Sequence, residues 1–382
     1  MSTEINTNHS PKKVARAIDA GFGVIKFSRA ATTDEANSAT GSVTFDSFMS
    51  IALDASVGEA DVALARKRDT VTVEYAGQSY EVGKGIEHGL VANDFGRDMT
   101  DAYYKSGSYH ALMRGALAYM GDPEIDTLVL GLPMNHYENK AQVAALKAAY
   151  TGRIELGGGR HVDVKQTLVH PQPFGAYIAL GSELDGINAA LRQYPQCGIK
   201  PLNGVAELAG LNVLIVDPGE FTLDWLVMNK GGYAQRVSSA AGDAGRFRVI
   251  REVMVVLEAK LNRPIGASFF ADVDRALRNK TPFRIGGQSF DLSTPEYQAV
   301  IKKAVEDPVR QLLESLRGAD DRIDLIAVLG GSPAEVAAAI RAARPLIPLY
   351  CPVEKTGQAS TLFANLRGFQ VWAEAAAAKS ES

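Results

Sequence analysis

The sequence predicts an α/β fold of two related lobes with a ligand held between them. Three strand-ending turns predict it. Val14 to Phe27 reads VARAIDAGFGVIKF, an apolar run ending in Asp19, then Gly21, Phe22 and Gly23, with Lys26 just beyond. Roughly 200 residues later the device recurs in LNVLIVDPGEFTLDW, where a strand ends at Asp217 and turns through Gly219, Glu220, Phe221 and Thr222 to Asp224. The third is IDLIAVLGGS, a buried strand running into Gly330-Gly331, after which Ser332-Pro333-Ala334-Glu335 makes a capping box that opens a helix. Recurrence of the aspartate turn hints at an internal duplication.

Composition bounds the classes. A chain of 382 residues exceeds one small core, and 46% hydrophobic with 22% charged residues is ordinary for a globular protein. A net charge of −4 argues against a nucleic-acid surface spread over the whole molecule. Cys197 and Cys351 lie far apart without a Cys-x-x-Cys spacing, which suggests reduced thiols in a cytoplasmic setting. The six histidines form no zinc-type pair, and no apolar run approaches the ~18 residues that span a bilayer, so no direct membrane contact is expected. The opening MSTEINTNHSPKK is polar and is expected to be a disordered tail over 1–13.

Taken in order, Ser42 to Leu53 shows no clear period. VTVEYAGQSYEVGKG alternates on both sides of Ala76-Gly77 and predicts a hairpin. A helix is expected within Asp101 to Met120, a buried parallel-type strand over Ile125 to Pro133, and a helix over Asn139 to Tyr150. Arg153 to Leu168 predicts a hairpin turning at Gly157-Gly158-Gly159, followed by a stiff segment, Val169 to Ala176, that opens a short helix over Phe174 to Leu180. Gly245 to Leu261 is amphipathic, with Phe247, Ile250, Met254, Leu257 and Leu261 on one face. A further hairpin is expected at Gly286-Gly287, then two helices separated at Pro308. Pro345 to Val353 reads as extended, and Ala359 to Ala378 closes the chain as a helix.

The turns suit a nucleotide. Glycines let backbone N–H groups approach a phosphate, and a helix N-terminus accepts an anion or a sugar–phosphate edge. Carboxylates alone would repel a triphosphate, so Asp19 and Asp217 make sense around Mg²⁺ bound largely through water. The Gly21–Gly23 and Gly219–Thr222 turns would grip the β- and γ-phosphates. Lys26 reads either as a phosphate neutraliser or as a solvated strand-end lysine. Thr222 reads either as a ligand or as a β-forming residue. Gln172, between Pro171 and Pro173, is the candidate for positioning the attacking water, and glutamine is a poor base, so turnover is expected to be slow.

These residues resemble the actin superfamily, and most closely the bacterial ParM/StbA-type plasmid-segregation actins. Asp19-x-Gly21-x-Gly23-x-x-Lys26 is similar to the first phosphate motif and Asp217-x-Gly219-x-x-Thr222-x-Asp224 to the second. Gly330-Gly331-Ser332 is similar to the adenosine motif, and Pro171-Gln172-Pro173 with Gly175-Ala176 to the first connecting segment. Tyr80-Glu81-Val82-Gly83 and the stretch from Phe363 to Phe369 are also typical of this branch. The resemblance implies an actin-like, ribonuclease H-like fold of two domains, each a mixed sheet flanked by helices, with ATP or ADP and Mg²⁺ in the interdomain cleft. It places one domain at 14–180, with the C-terminal helix in 355–382 packing back on it, and the other at 181–354. It implies a cytoplasmic ATP hydrolase that polymerises with copies of itself and segregates plasmid or other DNA through a DNA-binding adaptor.

Pro218 removes one N–H from the second turn, and Glu220 places a negative charge where a phosphate is expected. Both weigh against efficient hydrolysis. The alternatives are a small-molecule kinase of the same fold and a non-polymerising nucleotide-binding regulator. The kinase needs a general-base aspartate, and the connecting segment offers Gln172 instead.

Overall fold

The computed structural model describes residues 13–33, 43–55, 68–86, 102–235, 239–266, 269–316, 322–331, 333–352 and 361–379. The first lobe contains strands β1 (Ala15–Ala20), β2 (Val24–Ala30), β3 (Val43–Met49), β4 (Leu53–Asp54), β5 (Thr70–Tyr75), β6 (Gln78–Gly83), β7 (Glu124–Leu132), β8 (Gly152–Gly157) and β9 (Arg160–Pro171). Its longer helices are α1 (Gly107–Met120), α2 (Lys140–Ala149) and α3 (Gln172–Ala179). The main sheet runs β3-β2-β1-β7-β9-β8, and β4-β6-β5 form a small separate sheet.

The second lobe begins with α4 (Leu184–Arg192), then β10 (Val213–Pro218), β11 (Leu223–Asn229), β12 (Tyr233–Ala234) and β13 (Ser239–Ala241). It continues through α5 (Arg246–Leu261), α6 (Phe270–Asn279), the hairpin β14 (Phe283–Ile285) and β15 (Gln288–Phe290), and α7 (Pro295–Ser315). It ends with β16 (Leu325–Val328), α8 (Pro333–Ala343) and β17 (Leu349–Tyr350). Its sheet runs β12-β11-β10-β16-β17, with β13 also paired to β11. The last helix, α9 (Ala364–Lys379), packs on α3, β1 and β7.

The two sheets share one plan. β1 pairs antiparallel with β2 and parallel with β7. β10 pairs antiparallel with β11 and parallel with β16. Both central strands are buried along their whole length because helices cover both faces of each sheet. Period-two alternation then decides where the acids point. Ala15 and Ala17 face α9, so Asp19 faces the same side, while Ile18 and Ala20 join the opposite core with Leu112 and Leu117 of α1. Val213 and Ile215 pack with Ala176 and Leu180, so Asp217 also faces the helices that cross between the lobes. Leu214 and Val216 face Val309 and Leu312 of α7.

Three expectations change. Pro308 does not separate two helices: it lies inside the continuous α7. The helix is held across the proline because Ala304, Val305, Val309 and Leu312 pack into one core while Tyr297 anchors the other end in a second. Val169 to Pro171 belong to β9, which pairs with β7 as far as Leu132↔Pro171, so the helix begins at Gln172 itself. Ser42 to Leu53, which shows no clear period, contains the edge strand β3, most of whose residues are half-buried, so burial does not alternate cleanly. Residues 1–12 of the expected tail lie outside the described residues, and Lys13 donates through Nζ to the Ala377 carbonyl at 3.0 Å.

Candidate functional site

The first two turns have the same hydrogen bond. Gly21 N–H donates to the Val24 carbonyl at 3.2 Å, and Gly219 N–H donates to the Thr222 carbonyl at 2.9 Å. A Cβ at either glycine would sit 3.2 Å from that same oxygen. The turns meet face to face: the rings of Phe22 and Phe221 lie 4.8 Å apart. Glu220 packs over Gly23, where a Cβ would come within 2.8 Å of its Cγ. Its carboxylate lies 3.9 Å from the Arg278 guanidinium of α6. Behind the second turn, the start of α5 donates from Arg246 N–H to Gly219 and from Phe247 N–H to Glu220.

The acids draw partners from both lobes. Asp19 accepts from Gln172 Nε2 at 2.8 Å through one oxygen and pairs with Lys26 Nζ at 2.5 Å through the other. The lysine is its cross-strand neighbour, since Asp19↔Lys26 is a β1–β2 register pair. Asp217 accepts from Asn365 Nδ2 at 2.7 Å. Its cross-strand neighbour is Asp224, which accepts from Thr222 Oγ1 at 2.6 Å and from Met134 N–H at 3.0 Å. All three carboxylates are buried.

Burial is the main cause that pushes the Asp217 carboxyl up to about 7, with Asp19 and Asp224 adding to it and Lys26 and Asn365 opposing. Burial likewise pushes Asp224 up to about 6, against its bonds from Thr222 and Met134. Three buried acids around Lys26 are short of positive charge. Among the described residues no three His, Cys, Asp or Glu side chains converge to coordinate an ion directly. The donor set therefore fits a hydrated divalent cation, contacted through its waters, better than a directly ligated one.

The third turn docks on the second. Gly331 N–H donates to the Pro218 carbonyl at 3.0 Å, and a Cβ at Gly330 would lie 2.5 Å from Asp217 Oδ1. Ser332 lies outside the described residues. A narrow pocket beside this junction is lined by Pro218, Leu223, Gly245, Arg246, Val305 and Glu335. Arg246 is buried there, 2.8 Å from Asp274.

Residues 17–175 match the family model described as actin like proteins, N terminal domain. The chain has an actin-like fold. An archaeal actin homolog aligns with a TM-score of 0.67 at 18% identity, covering 95% of this chain and 99% of its own. That homolog is also known in complex with ADP. ParM from Clostridium botulinum, in a 15-stranded filament, aligns at 15% identity with a TM-score of 0.63, covering 95% of this chain and 99% of its own. The actin-like protein Alp7A aligns at 15% identity with a TM-score of 0.62, covering 96% and 97%. No curated protein sequence matches the chain.

Within this actin-like fold, Asp19, Lys26 and Gln172 form one cluster, and Asp217, Asp224 and Thr222 another beside it. The Thr222 hydroxyl is engaged by Asp224, so it holds an acid in place. Sequence reasoning gave Asn365 and Met134 no role at the acids. Asn365 was visible only as part of a typical closing stretch, and Met134 contributes a backbone N–H, which leaves no side-chain signal.

Proposed function

We propose that the protein binds ATP with Mg²⁺ between its lobes, polymerises with copies of itself and hydrolyses the nucleotide slowly, in the service of plasmid or DNA segregation. The observation that carries this is the matched pair of turns, each led by a buried aspartate and meeting at Phe22 and Phe221. The ADP complex of the archaeal homolog and the filaments of ParM support nucleotide and self-association respectively. No helix among the described residues is long and apolar enough to cross a membrane.

In this reading Asp19 and Asp217 hold the waters of Mg²⁺, which when bound offsets charge on the phosphates. Backbone N–H groups of the Gly21–Gly23 and Gly219–Thr222 turns grip the β- and γ-phosphates. The turns must part to admit them, because Glu220 covers Gly23 and the two phenylalanines touch. The Gly330-Gly331 turn would face the sugar edge. Gln172, whose Nε2 is held by Asp19, keeps Oε1 to accept a hydrogen bond and so orient the attacking water, whose proton passes to a phosphate oxygen. The water oxygen bonds to the γ-phosphorus as the bridge to the β-phosphate breaks, giving ADP and phosphate.

Sedimentation of the purified protein with ATP, with ADP and without nucleotide tests the assembly reading. An ATP-dependent pellet is expected. Tight binding with neither pellet nor turnover would make the protein a regulator, and turnover only with an added acceptor would make it a kinase. Gln172→Ala is expected to slow turnover by roughly 10² while leaving the nucleotide dissociation constant within about twofold, since removing a positioning group raises the barrier without changing ground-state contacts. Unchanged turnover in a phosphate-release assay removes Gln172 from the mechanism.

A further inference from the structure

Asn365 joins the lobes at a point that no motif explains. Its helix, α9, is fixed to the first lobe: Leu366, Phe369 and Ala373 pack with Ala15, Ala17 and Val129. Gln370 ties the same helix down by donating to the Ala15 carbonyl at 3.1 Å and accepting from Ser28 Oγ at 2.7 Å. From the first turn of that helix, Asn365 Nδ2 donates to Asp217 Oδ2 at 2.7 Å, on the second lobe's central strand. Asn365 is 5% exposed and Asp217 6% exposed, so water does not compete for the bond. The other end of the amide is unmatched: Asn365 Oδ1 is buried with no hydrogen-bond partner among the described residues.

The backbone that carries the amide is closely packed. A Cβ at Gly175 would lie 2.4 Å from the Asn365 carbonyl, so α3 and α9 meet backbone to backbone beside it. Most buried side-chain polar atoms have a hydrogen-bond partner. Here the donor faces a carboxylate, and the acceptor lacks the donor it requires.

We propose that Asn365 is a positioning residue that latches Asp217 of the second lobe to the helix of the first. It thereby sets the width of the cleft and offers its free amide oxygen to a water of the bound cation. The latch stands on the geometry alone, whereas the role of the oxygen rests on the nucleotide reading above. Replacing Asn365 by aspartate keeps the shape but, above pH 8, where Asp217 is ionised, sets one carboxylate against another. Exchanging the two residues, as Asp217→Asn with Asn365→Asp, puts a donor and an acceptor back in contact.

Small-angle scattering of the full nucleotide-free chain above pH 8 tests the latch. N365D is expected to enlarge the radius of gyration, and the D217N/N365D exchange to return it to the wild-type value. A purely packing role predicts no such rescue. An unchanged radius in N365D, or an enlargement that the exchange leaves in place, overturns the latch. If N365D does not fold, Asn365→Ser takes its place, and an unchanged radius there overturns the latch equally. Calorimetry with ADP tests the oxygen: N365A is expected to weaken binding at least tenfold with Mg²⁺ and less than twofold in EDTA. Equal losses in both overturn that role. If the wild-type protein binds no ADP, the nucleotide reading fails, while the scattering still decides the latch.

Discussion

Gly368→Ala is expected to lower the thermal midpoint by on the order of 10 °C and, on the proposed function, to abolish nucleotide binding. A Cβ at this position would lie 1.8 Å from the Gly175 carbonyl oxygen, 2.6 Å from its carbon and 3.0 Å from its Cα. All three are backbone atoms, so no side chain can turn aside, and the two helices would have to separate by more than an ångström. They cannot do so locally. Phe369 and Leu366 on either side of Gly368 are fully buried against β1 and β7, and Ala176 beside Gly175 is fully buried in the core under β10. Overpacking of a well-filled core costs typically ~1–3 kcal/mol, and a rigid backbone contact belongs at or above the top of that range. Separation also withdraws Gln172 from Asp19 and Asn365 from Asp217, since α3 and α9 carry those side chains. Gly204→Ala serves as control, because nothing lies within 4 Å of its Cβ position. Circular dichroism melts of the two variants decide it: a Gly368→Ala midpoint within ~2 °C of the Gly204→Ala one would refute the backbone-contact account.

Much of this architecture was readable in the chain, and the parts that were not share a physical reason. β1 and β10 announced themselves because a strand buried on both faces is a continuous apolar run, and an aspartate with glycine at its end is conspicuous. Side-chain alternation along those strands then sends both acids to the side of the crossing helices, which pattern alone does not reveal without knowing which helix covers which face. Pro308 misled because a proline is a local signal, whereas α7 is held by one core that spans the proline and by a second at its start. Thr222 was ambiguous between strand and ligand, and its hydroxyl took a third role on Asp224. Asn365 was legible as a residue but not as a partner, since its bond to Asp217 spans 148 positions and obeys no spacing rule. Glu220 read as a charge in the phosphate path, yet its stem covers Gly23 and its carboxylate turns toward Arg278.

Asp217→Asn is expected to raise the stability of the nucleotide-free protein at pH 8 by about 2–4 kcal/mol while lowering hydrolysis at least ~100-fold. The carboxyl is pushed up to about 7, chiefly by burial, from an ordinary value of 3.8. A folded-state value above the unfolded one means that the native protein holds a proton the unfolded chain has released. Its contribution to stability is complete below the unfolded value and is lost as pH rises through about 7. The wild-type melting temperature in the absence of nucleotide is therefore expected to fall between pH 5 and pH 8. Asp224, pushed up to about 6, adds its own share of the slope and keeps it in the variant. An asparagine at 217 removes the larger share, and its side-chain oxygen can still accept from Asn365 Nδ2. The variant and the wild type should thus converge toward pH 5 and diverge toward pH 8. On the proposed function, hydrolysis falls because the amide would carry no charge to hold a hydrated cation against the phosphates. On the proposed function, the gain in stability and the loss of activity would have one cause, a buried charge that is costly alone and required beside a cation. Melting curves from pH 5 to pH 8, with a phosphate-release assay at pH 8, measure both. A flat wild-type profile, or a variant less stable than wild type at pH 8, would show that the Asp217 carboxylate is not held at a cost in the folded chain.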